Sequence, residues 1–190
     1  APAVAVFAAS APVLLDVAVD DEGHTAEWLR GGAVLAAVTA SARAVAGCNH
    51  RPLGAMRYLA AASPAFVHQH FADGVDAASL ARAPSLVFSN KDELQTRWVR
   101  RLCGQHVELP RHTLPSSQAF VVAAAAGMGW GLHPESLIAE HLQQGTLVAL
   151  LPDAPLDVPL YWQHARATSA LLDGLTRAVL TAAQATLVQR

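Results

Sequence analysis

Short continuous apolar runs alternate along the chain with stretches whose apolar residues recur at helical spacing. Val13–Asp21 (VLLDVAVDD) predicts a buried strand ending in the acids Asp20, Asp21 and Glu22. A short helix HTAEWLRGG follows, with Thr25 as its N-cap and glycine at its stop. Ala33–Ser41 and Leu53–Ala62 predict two further strands. Ser63 and Pro64 then open a helix as cap and first residue. Beyond it the pattern predicts a short helix (DAASLARAP), a strand (SLVFSN) and an amphipathic helix (KDELQTRWVRRLC). Next come a strand (VELPRHT) and a serine-started helix (PSSQAFVVAAAAG). Gly127, Gly129 and Gly131 then alternate up to Pro134, predicting a helix stop, a short buried strand and a helix begun by proline. Two strands (TLVALLP and VPLYWQHAR) and a long final helix complete the chain. Strands alternating with helices, and apolar on both faces, predict an α/β fold with largely parallel, doubly covered sheets.

Composition adds constraints. The 190 residues are 53% hydrophobic and 15% charged, with a formal net charge of -2. No basic face is available to bind nucleic-acid phosphates, so DNA binding by this chain itself is not expected. No apolar run reaches the length of a membrane span. The apolar start lacks a basic region and is broken by Pro12 and Asp16, which does not fit a signal peptide. Cys48 and Cys103 form neither a CxxC motif nor a disulfide framework, in keeping with a reducing cytoplasm.

The chain carries no nucleophile elbow, Walker motif, dinucleotide fingerprint or zinc signature. No catalytic residue, metal ligand or cofactor is expected, and the reading is of a non-enzymatic protein. The nine histidines are scattered, and His68 and His70 are poorly spaced to share a metal on a helix. The candidate chemistry lies at strand-to-helix junctions, where ligands of α/β folds gather. Thr39 and Ser41 end one strand; Asn90, Lys91 and Asp92 stand between a strand and a helix; Ser116 and Ser117 open a helix after Pro115. Taken singly, each reads better as simple capping than as ligand binding. Together, hydroxyls and helix-start N–H groups suit a carboxylate and acids suit an ammonium, so the set could hold a zwitterion.

The stretches DDEGHTAEWLRGGAVLAAVT, PLGAMRYLAAASPAF, VFSNKDELQ, LPSSQAFVVAAAAGMGWGLHPE and DVPLYWQHA resemble the effector-binding domain of LysR-type transcriptional regulators. Among these the chain is most similar to the ArgP/LysG (IciA-like) branch. The resemblance implies two Rossmann-like lobes joined by two crossing strands, as in type 2 periplasmic binding proteins, with an effector cleft between them. Residues 1–62 and 160–190 would form the first lobe and 63–159 the second. It implies a winged helix-turn-helix upstream, absent from this chain, and a start inside the family's first helix, past its first strand. On this reading the partners are L-lysine or L-arginine as effector, DNA through that upstream domain, and further copies of the chain in a dimer or tetramer. A cytoplasmic activator of an amino-acid exporter gene is the implied function, with Asp21, His24, Thr39, Ser41, Asn90, Lys91, Asp92, Ser116, Ser117 and His164 as ligand-binding residues. His133 stands where relatives often carry a non-ionisable residue. The alternatives are a stand-alone amino-acid-binding protein of the same fold, or an α/β enzyme.

Overall fold

The computed structural model describes residues 2–11, 13–21 and 23–189, so Glu22, the last acid of the first predicted strand, lies outside them. The chain divides into two compact units, Ala1–Met56 with Asp157–Arg190, and Arg57–Leu156. The chain leaves the first unit inside one long strand and re-enters it at the start of another.

The first unit contains helices α1 (Pro2–Ser10) and α2 (Thr25–Arg30), strand β1 (Ala36–Thr39) and the first part of strand β2 (Cys48–Ala62). Strand β7 (Leu156–Ala165) and helix α8 (Ser169–Thr186) complete it. β1 runs antiparallel to β7, from Ala36 opposite His164 to Thr39 opposite Tyr161. α1 packs on α8 through the buried Phe7, whose ring lies so near Gly174 that a Cβ there would sit 3.0 Å from Cε2. That close approach explains a glycine inside a long helix. Past α8 the chain turns back, and Ala55 and Val188 exchange both main-chain hydrogen bonds at 2.9 Å.

Two expectations need correction here. The predicted strand Val13–Asp21 has no ladder partner among the described residues, leaving Leu14, Val17 and Val19 exposed. Its apolar composition reports a preference for burial, whereas a ladder also requires a neighbouring strand. Thr25 is not an N-cap but the first residue of α2, and its hydroxyl donates to Val38 O at 2.7 Å.

The second unit holds helix α3 (Pro64–His70), helix α4 (Ala77–Leu80), strand β3 (Ser85–Val87) and helix α5 (Leu94–Cys103). Strand β4 (Arg111–Thr113), helix α6 (Ser117–Ala125), strand β5 (Gly131–Pro134), helix α7 (Glu135–Gln143) and strand β6 (Val148–Ala149) follow. Ser63 caps α3 by accepting from Phe66 N, with Pro64 at the first position as predicted. Leu59, Ala61, Leu86, Phe120, Val121, Ala124, Ile138 and Leu147 form its core. Tyr58–Ala61 pair antiparallel with β5, and Ala61–Ala62 antiparallel with β6. The β1–β7, β2–β5 and β2–β6 ladders are antiparallel and β3–β4 is parallel, so the expectation of largely parallel sheets is not met. Apolar runs report that both faces are covered; they carry no information on strand direction.

The alternating glycines serve packing. Gly127 ends α6 at φ +81°, a left-handed stop. A Cβ on Gly129 would lie 2.8 Å from Pro84 O, and one on Gly131 would lie 2.6 Å from Phe120 Cε1. The bare positions let β5 press against α6 and against the segment leading into β3.

Candidate functional site

In the second unit, β3 and β4 run in the same direction, with Val87 opposite Thr113. Their carboxyl ends therefore lie side by side, joined further by Leu114 N donating to Val87 O at 2.9 Å. One end leads into the loop carrying Asn90, Lys91 and Asp92, the other into Ser116 and Ser117 at the start of α6. Parallel register thus brings together five candidates that are separate in sequence, at the position where α/β sheets present ligands.

Within this group the roles differ. Ser116 is the N-cap of α6 and accepts from Ala119 N at 3.3 Å. Ser117 is the first helical residue; it is exposed, and it stands where first-turn N–H groups lack intrahelical partners. Asn90 and Lys91 are exposed, whereas Asp92 is buried. Asp92 Oδ2 accepts from Phe88 N at 2.9 Å and Oδ1 from Leu94 N at 3.0 Å. The carboxylate thus ties the end of β3 to the start of α5. The helix begins at Leu94 rather than at Lys91 or Asp92, because those N–H bonds hold the loop in a non-helical turn.

The first unit gathers a second group. The bond from Thr25 to Val38 O fastens the start of α2 to the carboxyl end of β1, one residue before Thr39. Asp21 and His24 immediately precede α2, and Asp21 Oδ1 accepts from Gly23 N at 2.9 Å and lies 3.4 Å from His24 Nδ1. The fully buried Thr39 accepts from Ser41 N at 2.7 Å, which fixes the turn out of the strand. Four candidates therefore share one end of this unit.

His164 does not join them. It pairs with Ala36 at the opposite end of β1, is buried, and shares the sheet face of Trp162, whose indole donates to Thr176 of α8 at 3.0 Å. Strand alternation sends it to the face away from Tyr161 and Gln163. Two rings not singled out from the sequence lie at the Thr39 end instead. His50 and Tyr161 stack with centroids 4.6 Å apart, and His50 Nε2 lies 3.3 Å from Ser41 O. Only the register of β7 on β1 places Tyr161 opposite Thr39, so spacing along the chain offered no signal for this pair.

His133 occupies the core of the second unit. Its ring is fully buried, stands edge-on to Phe120 at 5.0 Å, and neither ring nitrogen has a hydrogen-bond partner among the described residues. Burial pushes its pKa down to about 4, His141 adds to that shift, and the Ala61 backbone opposes it without meeting hydrogen-bond geometry. Among the described residues no cluster of His, Cys, Asp or Glu is arranged to hold a metal, and no helix is long and apolar enough to cross a membrane.

Comparison with known proteins shows the family to which this two-unit architecture belongs. Residues 1–184 match the LysR substrate binding domain. The chain belongs to this family. It is 47% identical over 176 residues to the HTH-type transcriptional regulator ArgP of Pseudomonas fluorescens, covering 93% of this chain and 59% of that protein. The C-terminal domains of a LysR family protein from Agrobacterium tumefaciens superpose with a TM-score of 0.94 at 53% identity, covering 99% of this chain and 91% of that one. Full-length LysG from Corynebacterium glutamicum with bound effector Arg superposes with a TM-score of 0.85 at 38% identity, covering 98% of this chain and 64% of that one. The LysR domain therefore accounts for the two-unit α/β architecture, and the chain spans about 59% of the length of the curated relatives it matches.

Proposed function

We propose that this chain is the effector-sensing domain of a cytoplasmic LysR-type transcriptional regulator that responds to a basic amino acid, L-lysine or L-arginine. The observation that carries the reading is the similarity over nearly the whole chain to LysG holding its effector Arg. The geometry supports it with groups of matching chemistry. In the second unit, Ser117 and the first-turn N–H groups of α6 suit a ligand carboxylate, and the Asn90–Asp92 loop adds polar groups and an acid. In the first unit, Asp21, His24, Thr39 and Ser41 meet at one end, where Asp21 suits a cation.

The chain senses and does not catalyse. Contact with DNA belongs to a winged helix-turn-helix outside these residues, in keeping with the net charge of -2. The regulator activates an amino-acid exporter gene and works as a dimer or tetramer. The outer face of α6, where Val122 is 65% exposed beside small residues, is one contact surface.

Calorimetric titration with arginine, lysine and leucine tests the reading. Saturable heat with either basic amino acid and none with leucine is expected. Equal heats for all three, or no heat for any, would overturn it.

A further inference from the structure

We propose that the stacked rings of His50 and Tyr161 form the surface on which the effector's side-chain cation rests, and that this surface selects a planar guanidinium over a compact ammonium. The inference rests on the basic-amino-acid reading and adds the residues that discriminate between its two candidates.

The pair is built and held in place. Tyr161 stands opposite Thr39 in the β1–β7 ladder, so both side chains leave the same sheet face at the end that carries Ser41. The turn there is fixed by Ser41 N donating to Thr39 Oγ1 at 2.7 Å. Ser41 O in turn lies 3.3 Å from His50 Nε2. A carbonyl can only accept, so Nε2 donates in this contact and the ring is held in one orientation. The His50 ring then lies on Tyr161 at 4.6 Å with 23° between the planes. Both rings are half-buried, unlike Trp162, the next residue along β7 and on its opposite face, which is sealed in the core.

The chemistry of this surface favours one cation. A guanidinium is planar, weakly hydrated and stacks on aromatic faces; an ammonium is compact, strongly hydrated and gains less from a ring. Asp21, tied to the same end through α2, supplies the opposite charge.

The test measures arginine and lysine affinities by calorimetry for the parent, Tyr161→Leu, Tyr161→Phe and His50→Gln, with a melting temperature for each. The parent is expected to favour arginine. Tyr161→Leu should lose roughly five- to tenfold more affinity for arginine than for lysine, on the scale of a partly desolvated cation–ring contact. Tyr161→Phe keeps the ring and should keep the preference. His50→Gln keeps a donor for Ser41 O but removes the ring, and should narrow the preference without unfolding the protein. Equal losses for the two ligands in Tyr161→Leu and His50→Gln would overturn the ring surface while leaving the basic-amino-acid reading intact. A parent that binds lysine as tightly as arginine would also overturn it. A parent that binds neither would overturn both.

Discussion

Lowering the pH should destabilise the second unit through one side chain, His133. The ring is neutral in the fold, where its pKa is pushed down to about 4 from an ordinary 6.5. In the unfolded chain it regains the ordinary value. Between pH 6.5 and 4 the unfolded state therefore binds a proton that the folded state refuses, so stability falls as pH falls. The contribution is fully present above 6.5 and is lost progressively down to 4. The gap of 6.5 − 4 = 2.5 units, at about 1.4 kcal/mol per unit, amounts to about 3 kcal/mol in total. About 2 kcal/mol of that is lost by pH 5. Other carboxylates and histidines titrate over the same range, so the parent alone cannot isolate the effect.

His133→Leu removes the titration while keeping an apolar side chain against Phe120. Urea unfolding of both proteins at pH 8 and pH 5 gives a difference of differences in which the other groups cancel. The parent should lose about 2 kcal/mol more than the variant between these pH values. At pH 8 the variant should be as stable as the parent or about 1 kcal/mol more so, because two buried ring nitrogens without partners are gone. Equal pH losses in the two proteins would refute the reasoning, since they would mean that the ring finds water or a partner when it protonates.

Ser116→Ala should cost about 1 kcal/mol of stability by thermal melting, as an N-cap does, whereas Ser117→Ala should leave stability unchanged and weaken effector binding by roughly tenfold. Asp92→Asn should destabilise the protein by about 1–3 kcal/mol in urea, because an amide NH2 must replace one of the two oxygens that now accept from Phe88 N and Leu94 N. Gly131→Ala should cost about 1–3 kcal/mol through overlap with the Phe120 ring, and an unchanged melting point would show that α6 can shift freely. Sedimentation at micromolar concentration should show a dimer that Val122→Glu shifts to monomer, with the fold retained by circular dichroism.

Helices were legible where their signals are local. Ser63 and Pro64 start α3, Ser116 starts α6 and Gly127 stops it, because each acts on main-chain groups within a turn of itself. Asp92 misled for a related reason. A carboxylate before a helix signals a cap, but its two bonds reach both forward to Leu94 and back to Phe88, so the helix starts three residues later than the pattern suggests. Strands were legible as apolar runs but not as ladders. Val13–Asp21 is no less apolar than Leu156–Ala165 and has no ladder partner among the described residues, while Leu156–Ala165 forms the long β7. The difference lies in the neighbours, which are set by contacts far along the chain.

The same limit shaped the candidate residues. Thr39 and Ser41, and Ser116 and Ser117, were visible because a hydroxyl at a strand-to-helix junction has few other uses than capping or binding. Sequence could not divide the two serines, yet one step of helix geometry does so: the residue whose oxygen turns back to Ala119 N is committed to the helix, and the next one is not. His164 shows the opposite case. It belongs to the stretch DVPLYWQHA, one of those that carry the family resemblance, and that resemblance implied a ligand role. Its place opposite Ala36 and beside Trp162 instead makes it a residue of the sheet face that packs toward α8. Tyr161, three residues earlier, lies on the other face at the other end of β1, against His50. Within this one stretch, therefore, alternation and register assign one ring to the core and another to the end of β1 that carries Thr39 and Ser41, so membership of one stretch does not give its residues one environment.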